Sequence, residues 1–152
     1  MKARRAAILA ATFTTLAFGA CGDPAMGPEE AVRDWVARGQ QAAEHKDRGE
    51  LIDMVSPAYA DARGNNRGDL ENMLRVIFLR QKTIALLVRV EELTVYDDSA
   101  AQLVLQVGGV GSNENLLGFS ADAYRFEMEL ERDGDEWLLI SARWAALGEQ
   151  LR

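Results

Sequence analysis

The chain holds one cysteine, Cys21, and one histidine, His45, in 152 residues. A single cysteine excludes an internal disulfide. With one histidine, one cysteine and no ligand cluster at metal spacing, neither a zinc site nor any other cofactor is expected. Cations are scarce too: 17 lysines and arginines stand against 24 acids, for a net charge of −7. Three of those cations, Lys2, Arg4 and Arg5, fall in the first twenty residues, which hold no acid, so the rest of the chain carries −10. That balance argues against DNA or RNA as partner, because phosphate binding needs a basic footprint. It argues equally against a polybasic grip on anionic lipid. After the first twenty residues no apolar run approaches the ~18 residues that would span a bilayer. No internal repeat or low-complexity tract occurs, and the length suits one domain.

What is present begins with the N-terminus. Lys2, Arg4 and Arg5 form a positive start, and Ala6 to Phe18 is uncharged and mostly apolar. Gly19 and Ala20 then precede Cys21. A cationic region, a short apolar region and a small-residue cleavage site make a secretory signal, expected over residues 1–20. The run Leu16-Ala17-Phe18-Gly19-Ala20-Cys21 resembles the bacterial lipobox. Phe18 stands where that family prefers leucine. The resemblance implies cleavage before Cys21, lipidation of its thiol and acylation of the new N-terminus, with the membrane as partner through lipid. More than one acyl chain is what stable anchoring needs. Gly22, in place of an acid, fits sorting to the outer membrane where the host has two membranes. Residues 21–27 read as a short Gly/Pro tether.

The expected domain covers residues 28–148. Pro28 suits the first position of a helix, and Glu29 and Glu30 suit its positive end. Val32, Trp35, Val36, Gly39 and Ala43 recur at spacings of three and four, so a first helix runs to about His45. Glu50 to Val55 reads as a short second helix that Ser56-Pro57 ends. Ala58 to Arg63 reads as a short extended segment. Asn66 or Asp69 caps a third helix to Gln81, with the stripe Leu70, Met73, Leu74, Ile77 and Phe78.

After Thr83 the period changes from 3.6 to 2. Ile84, Leu86, Val88 and Val90 alternate, the phase slips at Glu91-Glu92, and Leu93 and Val95 continue on the shifted count. A slip of one predicts a β-bulge. Asp97-Asp98-Ser99 turns the chain into a second strand, Ala101 to Val107. Gly108 to Gly118 reads as a long loop. In the third strand Tyr124, Phe126, Met128 and Leu130 face one way, and Arg125, Glu127, Glu129 and Glu131 the other. Asp133-Gly134 signals a hairpin, and Trp137 to about Trp144 makes the last strand. The fold class is therefore α+β: three N-terminal helices packed on a curved antiparallel sheet of four to six strands.

That order resembles the nuclear-transport-factor-2-like superfamily, which includes the SnoaL-like cyclases and ketosteroid isomerase. Glu29–His45, Leu51–Tyr59, Leu70–Gln81 and the strands from Ile84 to Trp144 carry the resemblance. It implies a cone closed by helices over a bent meander. A cystatin-like domain is the competing reading, but such domains usually have one helix. The superfold hosts enzymes, ligand binders and interaction modules alike.

Chemistry is thinly signalled. His45 reads as a solvated helix end, favoured there by the helix dipole. Asp53, Asp61 and Asp122 are candidate carboxylates. Asp122 precedes Tyr124 by two on one strand, so both project to one face, where a carboxylate beside a phenol would move protons. The plainer reading puts Asp122 at an exposed strand start. No position matches the isomerase's or the cyclases' catalytic pattern. Gly108-Gly109-Val110-Gly111 lacks the Lys-Ser/Thr of a phosphate cradle. Trp35, Tyr59, Phe78, Tyr124, Phe126 and Trp144 are candidates for a pocket wall, or for plain core. The acidic row Glu127, Glu129 and Glu131 reads as a solvated sheet face. These features predict a lipid-anchored envelope protein whose domain binds a small apolar ligand or a protein, with a homodimer through the sheet face as a further expectation. The alternative is an isomerase, cyclase or dehydratase using a carboxylate inside the cone.

Overall fold

The structure, a computed structural model, describes residues 26–109 and 123–151. The expectations for the signal segment, Cys21, most of the Gly/Asn loop and Asp122 lie outside the described residues.

Three helices precede four strands: α1 (Pro28–Glu44), α2 (Arg48–Asp53), α3 (Arg67–Arg80), β1 (Leu86–Tyr96), β2 (Ala100–Gly109), β3 (Ala123–Asp133) and β4 (Glu136–Ala146). The strands form one antiparallel sheet in the order β1-β2-β3-β4. Pro28 opens α1, with Glu29 and Glu30 in its first turn. Helix α2 starts two residues before the expected point, because the Asp47 side chain accepts from the Glu50 backbone N–H at 3.0 Å and caps it. Gly49 therefore lies inside the helix. At α3 the two expected caps act together. Asn66 accepts from the backbone of Gly68 and Asp69, while Asp69 Oδ2 accepts from Asn66 N at 3.0 Å. This reciprocal box is worth about 1 kcal/mol.

The slip in β1 is a register shift between Val90 and Glu92, so Val88, Val90, Leu93 and Val95 all meet inner-face partners on β2. Asp97 and Asp98 both hold positive φ, 47° and 56°, as the two central positions of a type I′ turn demand, and Ser99 N closes that turn by donating to Tyr96 O at 3.1 Å. A strand boundary also differs from expectation. Gly108 and Gly109 are strand, paired with Leu87 and Leu86, so the loop begins later. A second shift, between Glu129 and Leu130, brings Leu139 opposite Leu130.

The chain between α2 and α3 lies along the free edge of β4. Ser56 N donates to Leu139 O at 2.9 Å, Leu139 N to Met54 O at 3.0 Å, and Ala60 N to Ile140 O at 3.1 Å. The segment is turns with isolated bridges at Val55 and Ala60 rather than the extended stretch expected over Ala58 to Arg63, yet its bonds cover an edge that would otherwise be open to pairing. Buried Ser56 donates to Glu131 Oε1 at 2.9 Å and locks the junction. Edge strand β1 is held by α1: Leu86 N donates to Glu44 Oε1 at 2.8 Å, and Gln40 Nε2 to Leu86 O at 3.1 Å.

The core lies between α1 and the inner sheet face. Val32, Trp35 and Val36 meet Leu103, Leu105, Leu130 and Trp137 there. Gly39 faces Met54, where a Cβ would sit in van der Waals contact, 3.4 Å from Met54 Cε. Helix α3 behaves differently. It packs beside α2, its backbone stands off the sheet, and none of its side chains is fully buried. Among the described residues no helix is long and apolar enough to cross a membrane.

Candidate functional site

The space that α3 leaves over the sheet is a cavity of about 720 Å³. Its roof is the apolar stripe of α3, with Leu70, Met73, Leu74 and Ile77. Its floor is Phe126 and Met128 of β3 and Leu139, Ala142 and Trp144 of β4. The size sits inside the ~300–1,000 Å³ typical of small-molecule sites. The stripe is only half-buried because it faces this space rather than a wall.

The helix is tethered at both ends. At its start Arg67 donates through Nε and Nη2 to Ile52 O, at 3.1 and 2.8 Å. At its end the Lys46 ammonium donates to Lys82 O at 2.9 Å and also to Gln81 O. These bonds satisfy carbonyls at helix ends and place a cation at the C-terminus of α3, where the helix dipole favours it.

Polar groups gather at one end of the cavity. Tyr59 lines it, and its hydroxyl donates to Asp61 Oδ2 at 3.4 Å. Asp61 Oδ1 accepts from the backbone of Arg63 and Asn65, both at 2.8 Å, and Oδ2 accepts from Asn65 Nδ2 at 2.8 Å. Burial pushes the Asp61 carboxyl up, but the bonds from Asn65, Arg63 and Tyr59 outweigh it and hold the acid below its ordinary value. Burial first, and then the Asp61 charge and hydrogen bond, push the Tyr59 phenol well above its ordinary range. Asp61 is thus a saturated, ionised acceptor that shapes the turn, and Tyr59 is a neutral donor.

An aromatic row runs from the core onto the floor, which its Phe126 and Trp144 line. Tyr124 and Phe126 lie 6.4 Å apart and tilted, and Phe126 and Trp144 lie 6.2 Å apart and stacked. Arg63 covers the last ring, its Cζ 4.4 Å from the Trp144 ring centroid. A smaller pocket of about 500 Å³, lined by Arg63, Ala145, Glu149 and Gln150, shares Arg63 with the main cavity.

Of the aromatic candidates, Tyr59, Phe126 and Trp144 line the main cavity. Trp35 and Tyr124 are buried in the core, and Phe78 is half-buried outside the lining. Asp53 is an exposed side chain at the end of α2, 3.6 Å from Arg67, and so stands outside the cavity. His45 is exposed, and its Nδ1–H donates to Gln41 O at 2.8 Å. Among the described residues no three His, Cys, Asp or Glu side chains gather as a metal site would require. Sequence reasoning missed Arg63 and Asn65. Each sits in a polar turn, and the only signal was the Asp-x-x-x-Asn spacing of Asp61 and Asn65.

The outer sheet face is more structured than a solvated acidic row. Arg125 bridges Glu91 at 3.1 Å and Glu127 at 2.7 Å, and Arg143 reaches Glu127 at 2.5 Å. Glu131 is taken by Ser56.

No sequence-family model matches this chain, and no curated protein sequence does. Solved structures do. Bd1075 of Bdellovibrio bacteriovorus superposes with a TM-score of 0.59 at 11% identity over 76% of this chain, which spans 40% of that protein. A proposed dehydratase of the NTF2-like family from Streptomyces avermitilis gives 0.63 at 14% identity, covering 80% of this chain and 97% of its own. An NTF-2 like protein of unknown function from Shewanella oneidensis MR-1 gives 0.63 at 11% identity, covering 76% and 97%. Identities this low speak for the fold alone. The fold of the described chain, three helices over a curved four-stranded meander, is nuclear-transport-factor-2-like.

Proposed function

We propose that this protein is an exported lipoprotein, anchored through Cys21, whose domain captures a small, largely apolar molecule between α3 and the sheet. The observation that carries the binding role is the 720 Å³ cavity under a helix that buries none of its own side chains fully. An apolar stripe left half-exposed is costly unless something covers it, at roughly 25 cal/mol per Å². A bound molecule would supply that cover. The export and anchoring role rests on the cationic start, the apolar stretch and the small residues before Cys21.

A binder fits better than an enzyme. A general base must be able to take a proton near neutral pH, whereas the buried carboxylate beside the cavity, Asp61, is held ionised by four donors. The dehydratase suggested for the Streptomyces avermitilis relative keeps the catalytic alternative in view, with Asp122 as its carboxylate. For self-association we propose the outer sheet face, where Glu91, Arg125, Glu127 and Arg143 form one charged network. A monomeric mass in sedimentation would overturn that assignment.

The test of the binding role is titration with the neutral fluorophore phenyl-naphthylamine. Saturable binding at one site, with energy transfer from tryptophan, is the expected result. No saturable binding would overturn it.

A further inference from the structure

We infer that the cavity selects an amphipathic anion: an apolar body under α3 with a single carboxylate or sulfonate head against Arg63. The inference rests on the binding role proposed above and adds the charge of the ligand. On a chain with net charge −7, the cavity wall carries two arginines, Arg63 and Arg80, and one acid, Asp69. Asp69 is engaged at the start of α3, where its Oδ2 accepts from Asn66 N. Neither arginine makes an ion pair among the described residues, which is also true of Arg75 and Arg89, whereas Arg33, Arg38, Arg48, Arg67, Arg125, Arg132 and Arg143 do. Unpaired cations gathered at an apolar cavity in an acidic protein form a local field that favours an anion.

Arg63 is the better placed of the two. Its Cζ lies over the Trp144 ring, 4.4 Å from the centroid, and its Nη2 donates to Trp144 O at 3.0 Å. Its Nε and Nη1 have no hydrogen-bond partner among the described residues, so donors remain for a carboxylate or sulfonate. A guanidinium held against a ring and bonded to a backbone carbonyl loses less freedom on binding than a free one. Glu149 lines the smaller pocket that shares Arg63, and is absent from the lining of the main cavity. Its charge disfavours an anion there and leaves the cavity side as the place for the head. Arg80 makes no side-chain hydrogen bond or ion pair among the described residues and would act as a second, looser cation at the far end of α3.

The experiment compares two fluorophores with the same skeleton, anilinonaphthalene sulfonate and neutral phenyl-naphthylamine, on the purified full-length chain and on Arg63→Gln. The wild type should bind the sulfonate more tightly than the neutral probe. Arg63→Gln should weaken the sulfonate about fivefold, the upper end for an exposed ion pair, and leave the neutral probe within about twofold. Arg63→Lys should keep part of the preference. Should Arg63→Gln fail to fold, added salt on the wild type gives the same reading: it must weaken the sulfonate and spare the neutral probe. Equal loss of both probes, or no loss of either, would overturn the anion inference alone. Absence of binding by both probes to the wild type would overturn the binding role itself.

Discussion

The guanidinium of Arg63 lies 4.4 Å from the ring centroid of Trp144 and donates to the backbone carbonyl of the same residue at 3.0 Å. One residue of β4 thus holds, by ring and by backbone, a cation delivered from the turn before α3. The two partners differ in what they contribute to stability. Trp144 is buried and in contact with Phe126, so Trp144→Ala should cost about 3–5 kcal/mol in urea unfolding. Arg63 is exposed, and Arg63→Gln should cost less than about 1 kcal/mol.

Asp61 organises that turn. Replacement by Asn keeps the shape but sets an amide N–H₂ against donors from Asn65 or Arg63. Asp61→Asn should cost about 1–3 kcal/mol in denaturant unfolding at neutral pH. Its pH dependence follows from the direction of the shift. The folded acid has a lower pKa than the unfolded one, so its stabilisation is complete above the ordinary value of 3.8 and is lost as pH falls below it. The acid limb of stability below about pH 4 should therefore be shallower in Asp61→Asn than in the wild type. An unchanged limb would mean that Asp61 is not the linked group.

The β1–β2 turn holds two aspartates at positive φ. Glycine adopts that conformation without the Cβ penalty. Asp98→Gly should stabilise the chain by about 0.5–1 kcal/mol, read as a rise in thermal midpoint. A fall would show that the Asp98 side chain contributes something the backbone geometry does not reveal.

The anchor is tested on the whole chain in a bacterial host. The wild type should partition into detergent phase and carry diacylglycerol mass on Cys21. Cys21→Ser should appear as unlipidated chain in the aqueous phase, or remain uncleaved. Aqueous partitioning of the wild type would remove the lipoprotein assignment and leave the domain reading untouched.

Much of this was legible from residues alone, for identifiable reasons. The bulge at Glu91 showed as a phase slip because side-chain alternation in a strand has a fixed period of two. The α3 cap showed because Asn66 and Asp69 are spaced for reciprocal bonds. The start of α2 was misplaced because Gly49 reads as a breaker, while the cap at Asp47 decides the helix. The cavity was not legible. Leu70, Met73, Leu74 and Ile77 form the same stripe whether they meet a packed sheet or a space. Arg63 over Trp144 joins positions 81 residues apart, and no local pattern encodes such a pair.

The central claim is that α3 roofs an open cavity, and Leu74→Trp tests it most directly. Leu74 lines that cavity from above and is only half-buried, so a larger side chain has room to enter. The measurement is the dissociation constant of phenyl-naphthylamine, with the thermal midpoint read on the same samples. The account predicts at least about tenfold weaker binding, about 1.4 kcal/mol, with a midpoint equal to or above that of the wild type. Unchanged probe binding, or a midpoint lowered as overpacking of a filled core would lower it, would contradict the account.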